Sequence, residues 1–157
     1  MKIDTARLTI RSFELTDLEE LFNLVNDKIV EKFVPNAYCS NIEQAQDNLD
    51  VYANGDLIHD FYLAICKDEV IIGAIIAVEV YKGYLDVSYI IGEQCRHKHY
   101  ALEAMEAFLN WLKENTKFLG VDLEIDKSNE PSKKLSLRLH ADPMEVIGNK
   151  KYYRIRL

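Results

Sequence analysis

The chain has 157 residues and a hydrophobic fraction of 48%, which fits one domain with a proper core and argues against disorder. Its net charge of −7 argues against nucleic acid as a general partner, which would need surplus Lys and Arg, and is compatible with a cationic substrate such as an amine. Cys39, Cys66 and Cys95 form no C-x-x-C pair, so neither a metal site nor a redox motif is expected. Free thiols point to a reducing, cytoplasmic compartment. Met1 to Thr5 does not read as a signal peptide and no apolar run approaches membrane length, so no membrane partner is expected.

In chain order, Thr5 to Phe13 alternates Leu8 and Ile10 with Arg7, Thr9 and Arg11, the period of one half-buried strand. Thr16, with Glu19 three residues on, predicts a capping box, followed by an apolar stripe of Leu18, Leu21, Phe22 and Val25 on a helix. A second helix is predicted from about Lys28 to Phe33, before Pro35. A third is capped by Ser40 or Asn41 and runs to about Tyr52. Phe61 to Cys66, Val70 to Val80 and Tyr84 to Ile91 read as an antiparallel meander, with turns at 67–69 and at Tyr81-Lys82-Gly83 and a bulge at Gly73. On the third of these strands Leu85, Val87, Tyr89 and Ile91 share one face, and Asp86, Ser88 and Ile90 the other.

The segment Gln94-Cys95-Arg96-His97-Lys98-His99-Tyr100-Ala101 is a polar turn running into an amphipathic helix, Ala101 to about Asn115. A helix start carries unpaired N–H groups and about half a positive charge, so this turn, edged by Arg96 and Lys98, is a seat for an anion such as a cofactor phosphate. The apolar arc of that helix includes Ala104, Met105, Phe108, Trp111 and Leu112. Next come a strand from Val121 to Asp126 and a helix from Pro131 to about Leu139. A hairpin of Met144 to Ile147 and Tyr152 to Leu157 follows, turning at Gly148-Asn149. The strand–helix–strand order around residue 101 requires a right-handed crossover, so the strands starting near Tyr84 and Val121 should be parallel. The fold class is mixed α/β (α+β) with one central sheet.

This order resembles the GNAT superfamily of N-acetyltransferases, and most closely its branch that acetylates ribosomal-protein N-termini. Thr5-Ala6-Arg7-Leu8-Thr9-Ile10-Arg11 is similar to that branch's opening strand, Thr-x-Arg-Leu-x-Leu-Arg. Asp86-Val87-Ser88-Tyr89-Ile90-Ile91 is similar to its fourth strand, Glu-Leu-Gly-Tyr-Trp-Leu. The polar turn aligns with its acetyl-CoA loop, and Asn129-Glu130-Pro131-Ser132 with its Asn-x-x-Ser. The resemblance implies a single GNAT domain over 1–157, with a mostly antiparallel sheet, a splayed parallel strand pair and flanking helices. It implies acetyl-CoA as co-substrate with no metal, and direct transfer to a small-molecule or peptide amine. A homodimer is compatible with it.

By the same resemblance, backbone groups near Ile90 and Ile91, the loop Arg96, His97, Lys98, His99, Tyr100 and Ala101, and Asn129 would hold the cofactor, Asn129 reading equally as the cap of its helix. Asp86, where the branch has Glu, would be the general base or else an exposed strand Asp with a paired neighbour. Ser132 would bond the sulfur or the adenosine side, or serve as a first-turn Ser. Ser136 stands where many members carry a Tyr acid and reads as a helix-surface Ser. His99 replaces the family's Gly, which lets the backbone come close to pyrophosphate. Left-handed φ is open to His but uncommon. The alternative reading is therefore a non-catalytic GNAT-fold binding module with a degenerate loop at His99. His59 and His140 read as isolated, and Tyr152 and Tyr153 as packing.

Overall fold

The structure is a computed structural model that describes residues 1–81 and 83–157. The turn expected at Tyr81-Lys82-Gly83 falls on Lys82, which lies outside the described residues. The chain opens with β1 (Lys2–Asp4) and β2 (Thr9–Ser12), then α1 (Leu18–Val25), α2 (Lys28–Phe33) and α3 (Ile42–Ala53). The meander β3 (Asp60–Lys67), β4 (Val70–Tyr81) and β5 (Tyr84–Ile91) follows. The rest is α4 (Tyr100–Asn115), β6 (Gly120–Asp126), α5 (Glu130–Arg138), β7 (Asp142–Ile147) and β8 (Lys150–Arg156).

All eight strands form one sheet in the order β1-β2-β3-β4-β5-β6-β8-β7. Every neighbouring pair is antiparallel except β5 and β6. The parallel pair that the crossover rule demanded is short: Tyr84 faces Gly120, Leu85 faces Val121 and Asp86 faces Asp122, and there the ladder stops. Beyond Asp86 the β6-facing edge of β5 has no ladder partner. Its polar backbone groups must find partners elsewhere or face a ligand.

One sheet face is covered by α4. Phe61, Leu63, Ile75, Leu85, Val87, Val121 and Leu123 pack there against Met105, Phe108 and Leu112. The Phe61 ring is edge-on to Phe108, Trp111 and Phe118, with centroids 5.8, 5.9 and 6.1 Å away. Burying one such aromatic contributes roughly 1.5–3 kcal/mol. The other face carries α1 and α3 over Phe13, Leu21, Leu49, Tyr52, Ala64, Ala74 and Ile90. This leaves Asp86 and Ser88 on the α1–α3 side and Leu85, Val87 and Tyr89 on the α4 side, as the period of two requires.

The structure corrects the sequence reading in four places. The strand read over Thr5 to Phe13 is only β2, Thr9–Ser12, and an unforeseen β1 precedes it, because Thr5 and Leu8 close a turn: Thr5 N to Leu8 O is 2.8 Å, and Leu8 N to Thr5 Oγ1 is 2.9 Å. Thr16 does not cap α1. A 3-10 turn at Leu15–Asp17 intervenes, where the Glu14 N–H donates to Asp17 Oδ2 at 2.8 Å and buried Asp17 is gripped by both Arg11 Nη atoms at 2.7 and 2.9 Å. The bulge belongs to Ile72, since Cys66 pairs with Ile71 and Ile65 with Gly73. Gly73 is needed because a Cβ there would collide with Ile90 O. Finally α4 starts at Tyr100, and Leu109 joins its buried face while Trp111 is only half-buried.

Candidate active site

The anion seat is built from the end of β5. After Ile91 the chain makes a 3-10 turn, Glu93–Cys95, and enters α4 through His97-Lys98-His99. Both His97 (φ 62°) and His99 (φ 63°, ψ 16°) are left-handed. Left-handed residues in a turn at a helix start are a recurring part of backbone concavities that suit an anion. The first intrahelical bond of α4 is Glu103 N to His99 O at 3.1 Å. The N–H groups of Tyr100, Ala101 and Leu102 precede it and lack an intrahelical acceptor.

Three tethers hold this loop. The Arg96 Nε donates to Ile91 O at 2.9 Å, and its Nη2 lies 3.1 Å from Asp27 Oδ1. Asp27 also caps α2, accepting from Ile29 N (2.7 Å) and Val30 N (3.1 Å). Burial opposes ionisation of Asp27, but the Val30 N–H, Arg96 and the Ile29 N–H together hold its carboxyl below the usual range. Arg7, from the Thr-x-Arg-Leu segment, donates from Nη1 to Lys98 O at 3.1 Å and from Nε to Glu103 Oε2 at 2.6 Å, with its guanidinium over the Tyr100 ring. Across the loop, Arg138 Nη1 stands 3.1 Å from His99 Nδ1.

These tethers border a cleft of about 720 Å³. Its walls are β5 (Tyr89, Ile90, Ile91), the loop (Arg96, His97, His99), the start of α4 (Tyr100, Ala101), α5 with its cap, and the apolar side of α2 (Ile29, Val30, Phe33). Of the residues expected to hold a cofactor, Ile90, Ile91, Arg96, His97, His99, Tyr100, Ala101 and Asn129 meet in this one cleft, and Ser132 joins them. Lys98 is exposed and is not among the residues that line it, and its carbonyl accepts from Arg7. Arg96 lines it but is committed to Asp27 and Ile91. The cations that edge the cleft without such a commitment to a carboxylate are Lys134 and Arg138 of α5. The sequence reading missed them. Their i, i+4 spacing on one helix face was the available signal.

Asn129 caps α5 by accepting from Ser132 N at 3.3 Å while also lining the cleft. Ser136 is a correction: it is fully buried rather than on the helix surface, and its hydroxyl donates to Lys133 O at 2.9 Å. Tyr89, which the sequence places only on the apolar face of its strand, also lines the cleft, and its hydroxyl lies near Ser132. That oxygen is buried without a hydrogen-bond partner.

Asp86 lies apart from this cleft. It lines a second cavity of about 300 Å³ on the α1–α3 face of the sheet, with Asp122, Glu124, Glu145, Tyr152 and Arg154. Asp122 is bound by Arg154 Nε at 2.7 Å, and Glu124 accepts from Tyr152 Oη at 3.0 Å. Among the described residues no such partner reaches Asp86. Burial first, then Glu124 and Asp122, push its carboxyl above the usual range. Tyr152 therefore has a polar contact at this cavity, whereas Tyr153 is core. His59 is not isolated: Asp56 Oδ2 is 2.9 Å from its Nδ1 and raises its pKa. His140 is exposed. Among the described residues no group of three or more His, Cys, Asp or Glu side chains could hold a metal ion.

The fit to a nucleotide-bearing thioester is good on two grounds: a left-handed loop at a helix start and, across the cleft on α5, two cations with no carboxylate partner among the described residues. A family model described as Acetyltransferase (GNAT) domain matches residues 7–142. An uncharacterized N-acetyltransferase of Bacillus subtilis (strain 168), YnaD, is 24% identical over 115 residues, covering 71% of this chain. The match spans 65% of that relative's length. A solved GNAT-family acetyltransferase from Bacillus anthracis superposes with TM-score 0.88 at 19% identity, over 99% of this chain and 98% of that one. RimL, a ribosomal-protein alpha-N-acetyltransferase solved in complex with coenzyme A, superposes at 0.83 with 11% identity, over 100% and 98%. MccE, a microcin C7 self-immunity acetyltransferase solved with acetyl-CoA and AMP, superposes at 0.82 with 14% identity, over 98% and 94%. At such identities these likenesses are of fold.

Proposed function

The chain belongs to the GNAT acetyltransferase family, and on that premise we propose that it is an acetyl-CoA-dependent N-acetyltransferase acting on a primary amine, either a peptide N-terminus or a small molecule. The observation that carries this reading is the loop 96–99: its two left-handed residues, His97 and His99, line a cleft together with the end of β5 and the start of α4, beyond the point where the β5–β6 ladder stops. The alternative of a non-catalytic module rested on His99, and with His99 already left-handed nothing favours it.

Acetyl-CoA would supply the acyl group as a thioester. The loop and the first N–H groups of α4, with Lys134 and Arg138, hold phosphate. The unladdered edge of β5 near Ile90 and Ile91 offers backbone groups to the pantetheine arm and the acyl carbonyl, and donors aimed at a developing oxyanion are worth about 2.7–4 kcal/mol in comparable enzymes. Asp86, on the opposite face of the same strand, takes the proton of the incoming amine, directly or through a water. Its raised pKa suits that work, and general-base assistance contributes about 10²–10⁴-fold. The Asp86, Asp122 and Glu124 wall of the second cavity favours a cationic acceptor, which must lose a proton before it attacks. Cys39 and Cys66 are buried and Cys95 half-buried, all as free thiols, which fits a reducing, cytoplasmic setting.

Calorimetric titration with acetyl-CoA, followed by mass spectrometry of a panel of amines and N-terminal peptides, tests the proposal. Micromolar binding and one added acetyl group on a primary amine are expected. No binding at millimolar acetyl-CoA would sink it.

A further inference from the structure

The β1–β2 turn reaches the anion seat through two side chains. Thr5 Oγ1 donates to Glu103 Oε1 at 2.6 Å, and the Arg7 N–H donates to the same oxygen at 2.9 Å. Arg7 Nε donates to Glu103 Oε2 at 2.6 Å, so both carboxylate oxygens are taken. Burial opposes ionisation of Glu103, but the Thr5 hydroxyl, the Arg7 guanidinium and the Arg7 N–H together hold its carboxyl below the usual range. Glu103 lies in the first turn of α4. From this anchor Arg7 Nη1 reaches Lys98 O at 3.1 Å, and its Cζ lies 4.6 Å from the centre of the Tyr100 ring. One planar group thus spans the junction of loop and helix and is bonded to both sides of it.

The bond to Lys98 O falls where the loop most needs one. Lys98 stands between His97 and His99, both left-handed. Residues with a Cβ take that shape at a cost, and it persists only where the surroundings hold it. In a trans peptide the C=O and N–H point opposite ways. Fixing the Lys98 carbonyl therefore also fixes the direction of the His99 N–H, which no acceptor among the described residues takes. Arg7 itself is not among the residues that line the cleft, and its charge is paired with Glu103. Any effect it has on a ligand goes through the shape of the loop.

We propose that Arg7 is a positioning residue for the acyl donor: joined to Glu103 on α4 and to Lys98 O in the loop, it fixes the anion seat in the shape that takes the donor's phosphates, without touching them. This rests on the acetyltransferase reading. A loop held in its binding shape binds with its full affinity, whereas one that visits the shape about a tenth of the time binds about tenfold more weakly. The fork matters more than the charge, because Arg presents its nitrogens in a fixed plane and Lys presents one on a flexible stem. Glu103 separates the two accounts by sign. As a charge beside the seat it repels phosphate, so its neutralisation should tighten binding. As the anchor of Arg7 its neutralisation should weaken binding.

The test titrates acetyl-CoA by calorimetry into the wild-type protein, Arg7→Gln, Arg7→Lys and Glu103→Gln, with thermal melts to show that each is folded. Arg7→Gln should raise the Kd about tenfold at unchanged stoichiometry, and Arg7→Lys should lie within about threefold of it. Glu103→Gln should weaken binding by about threefold or more. In Arg7→Gln the KM for acetyl-CoA should rise with the Kd, while kcat at saturating acetyl-CoA changes less than about twofold. A loss of fold alone would instead lower stoichiometry and kcat together and leave the Kd of the folded fraction unmoved. Wild-type affinity in Arg7→Gln, recovery of that affinity in Arg7→Lys, or unchanged or tighter binding by Glu103→Gln overturns the role and leaves the acetyltransferase reading standing. Failure of the wild-type protein to bind acetyl-CoA overturns both.

Discussion

The imidazole Nδ1 of His99 accepts from Arg138 Nη1 at 3.1 Å, joining the loop before α4 to the last residue of α5. Because Arg is only a donor, this nitrogen carries no proton in the contact and the ring proton of neutral His99 sits on Nε2. The ring is drawn to α5 while the backbone takes the left-handed shape that Gly would supply. His99→Gly should therefore change little. Relief of left-handed strain offsets the lost contact, so stability should stay within about 1 kcal/mol and the acetyl-CoA Kd within about fivefold. His99→Val, a β-branched residue that resists positive φ, should weaken acetyl-CoA by more than about tenfold. Calorimetry and thermal melts of the two variants check this pair. Equal effects from both would remove backbone shape from the account.

Lys134 and Arg138 should supply the phosphate charge that Arg96 cannot. Arg138→Gln is expected to raise the acetyl-CoA Kd about ten- to a hundredfold, the range for one charge-assisted hydrogen bond of about 1.5–3 kcal/mol. The loss should shrink as salt rises. Lys98→Gln, with its side chain outside the cleft, should move the Kd less than about threefold. Titrations at two ionic strengths decide it, and a larger effect from Lys98 than from Arg138 would reverse the assignment.

Asp17 and Asp27 both have depressed folded-state pKa values. Burial opposes ionisation of Asp17, and the Arg11 guanidinium and the Glu14 N–H outweigh it. A depressed carboxylate contributes stability that is fully present above its unfolded value near 3.8 and is lost as pH falls through the folded value. Unfolding midpoints should therefore fall steeply below about pH 4. Asp17→Asn, which leaves Arg11 half-buried and unpaired, should cost about 3 kcal/mol at neutral pH and flatten that acid limb. Urea melts from pH 3 to pH 7 read both effects, and an unaltered slope would contradict the linkage.

Asp86 has the opposite sign. Its raised pKa means that ionisation is easier in the unfolded chain, so the ionised carboxylate destabilises the fold at neutral pH. Asp86→Asn should raise the melting temperature slightly and lower turnover about a hundredfold. The acidic limb of the wild-type pH–rate profile, where activity falls as pH drops through the raised value, should disappear in the variant. Full activity of Asp86→Asn would remove it from the mechanism.

Whatever depends on local period and capping can be read from the chain alone. The β3–β4–β5 meander is legible in β-branched runs split by short turns. Asn41 and Asn129 are legible as caps, and the β5–α4–β6 crossover forces the parallel pair. The family membership is legible in four short segments because they sit on elements whose order is set by that pattern. Packing decides where side chains go once the elements are assembled. Arg96 reads as a phosphate ligand in the chain, and nothing nearby in sequence competes for it. Asp27, far back along the chain, is brought alongside by α2 and captures it. Arg7 reads as a strand residue until folding places Lys98 O and Glu103 beside it. Lys134 and Arg138 come to edge the cleft only because α5 packs across from the loop. The φ of His99 and the orphaned hydroxyl of Tyr89 are likewise products of packing. No local pattern encodes them, because each depends on contacts between segments that are distant along the chain.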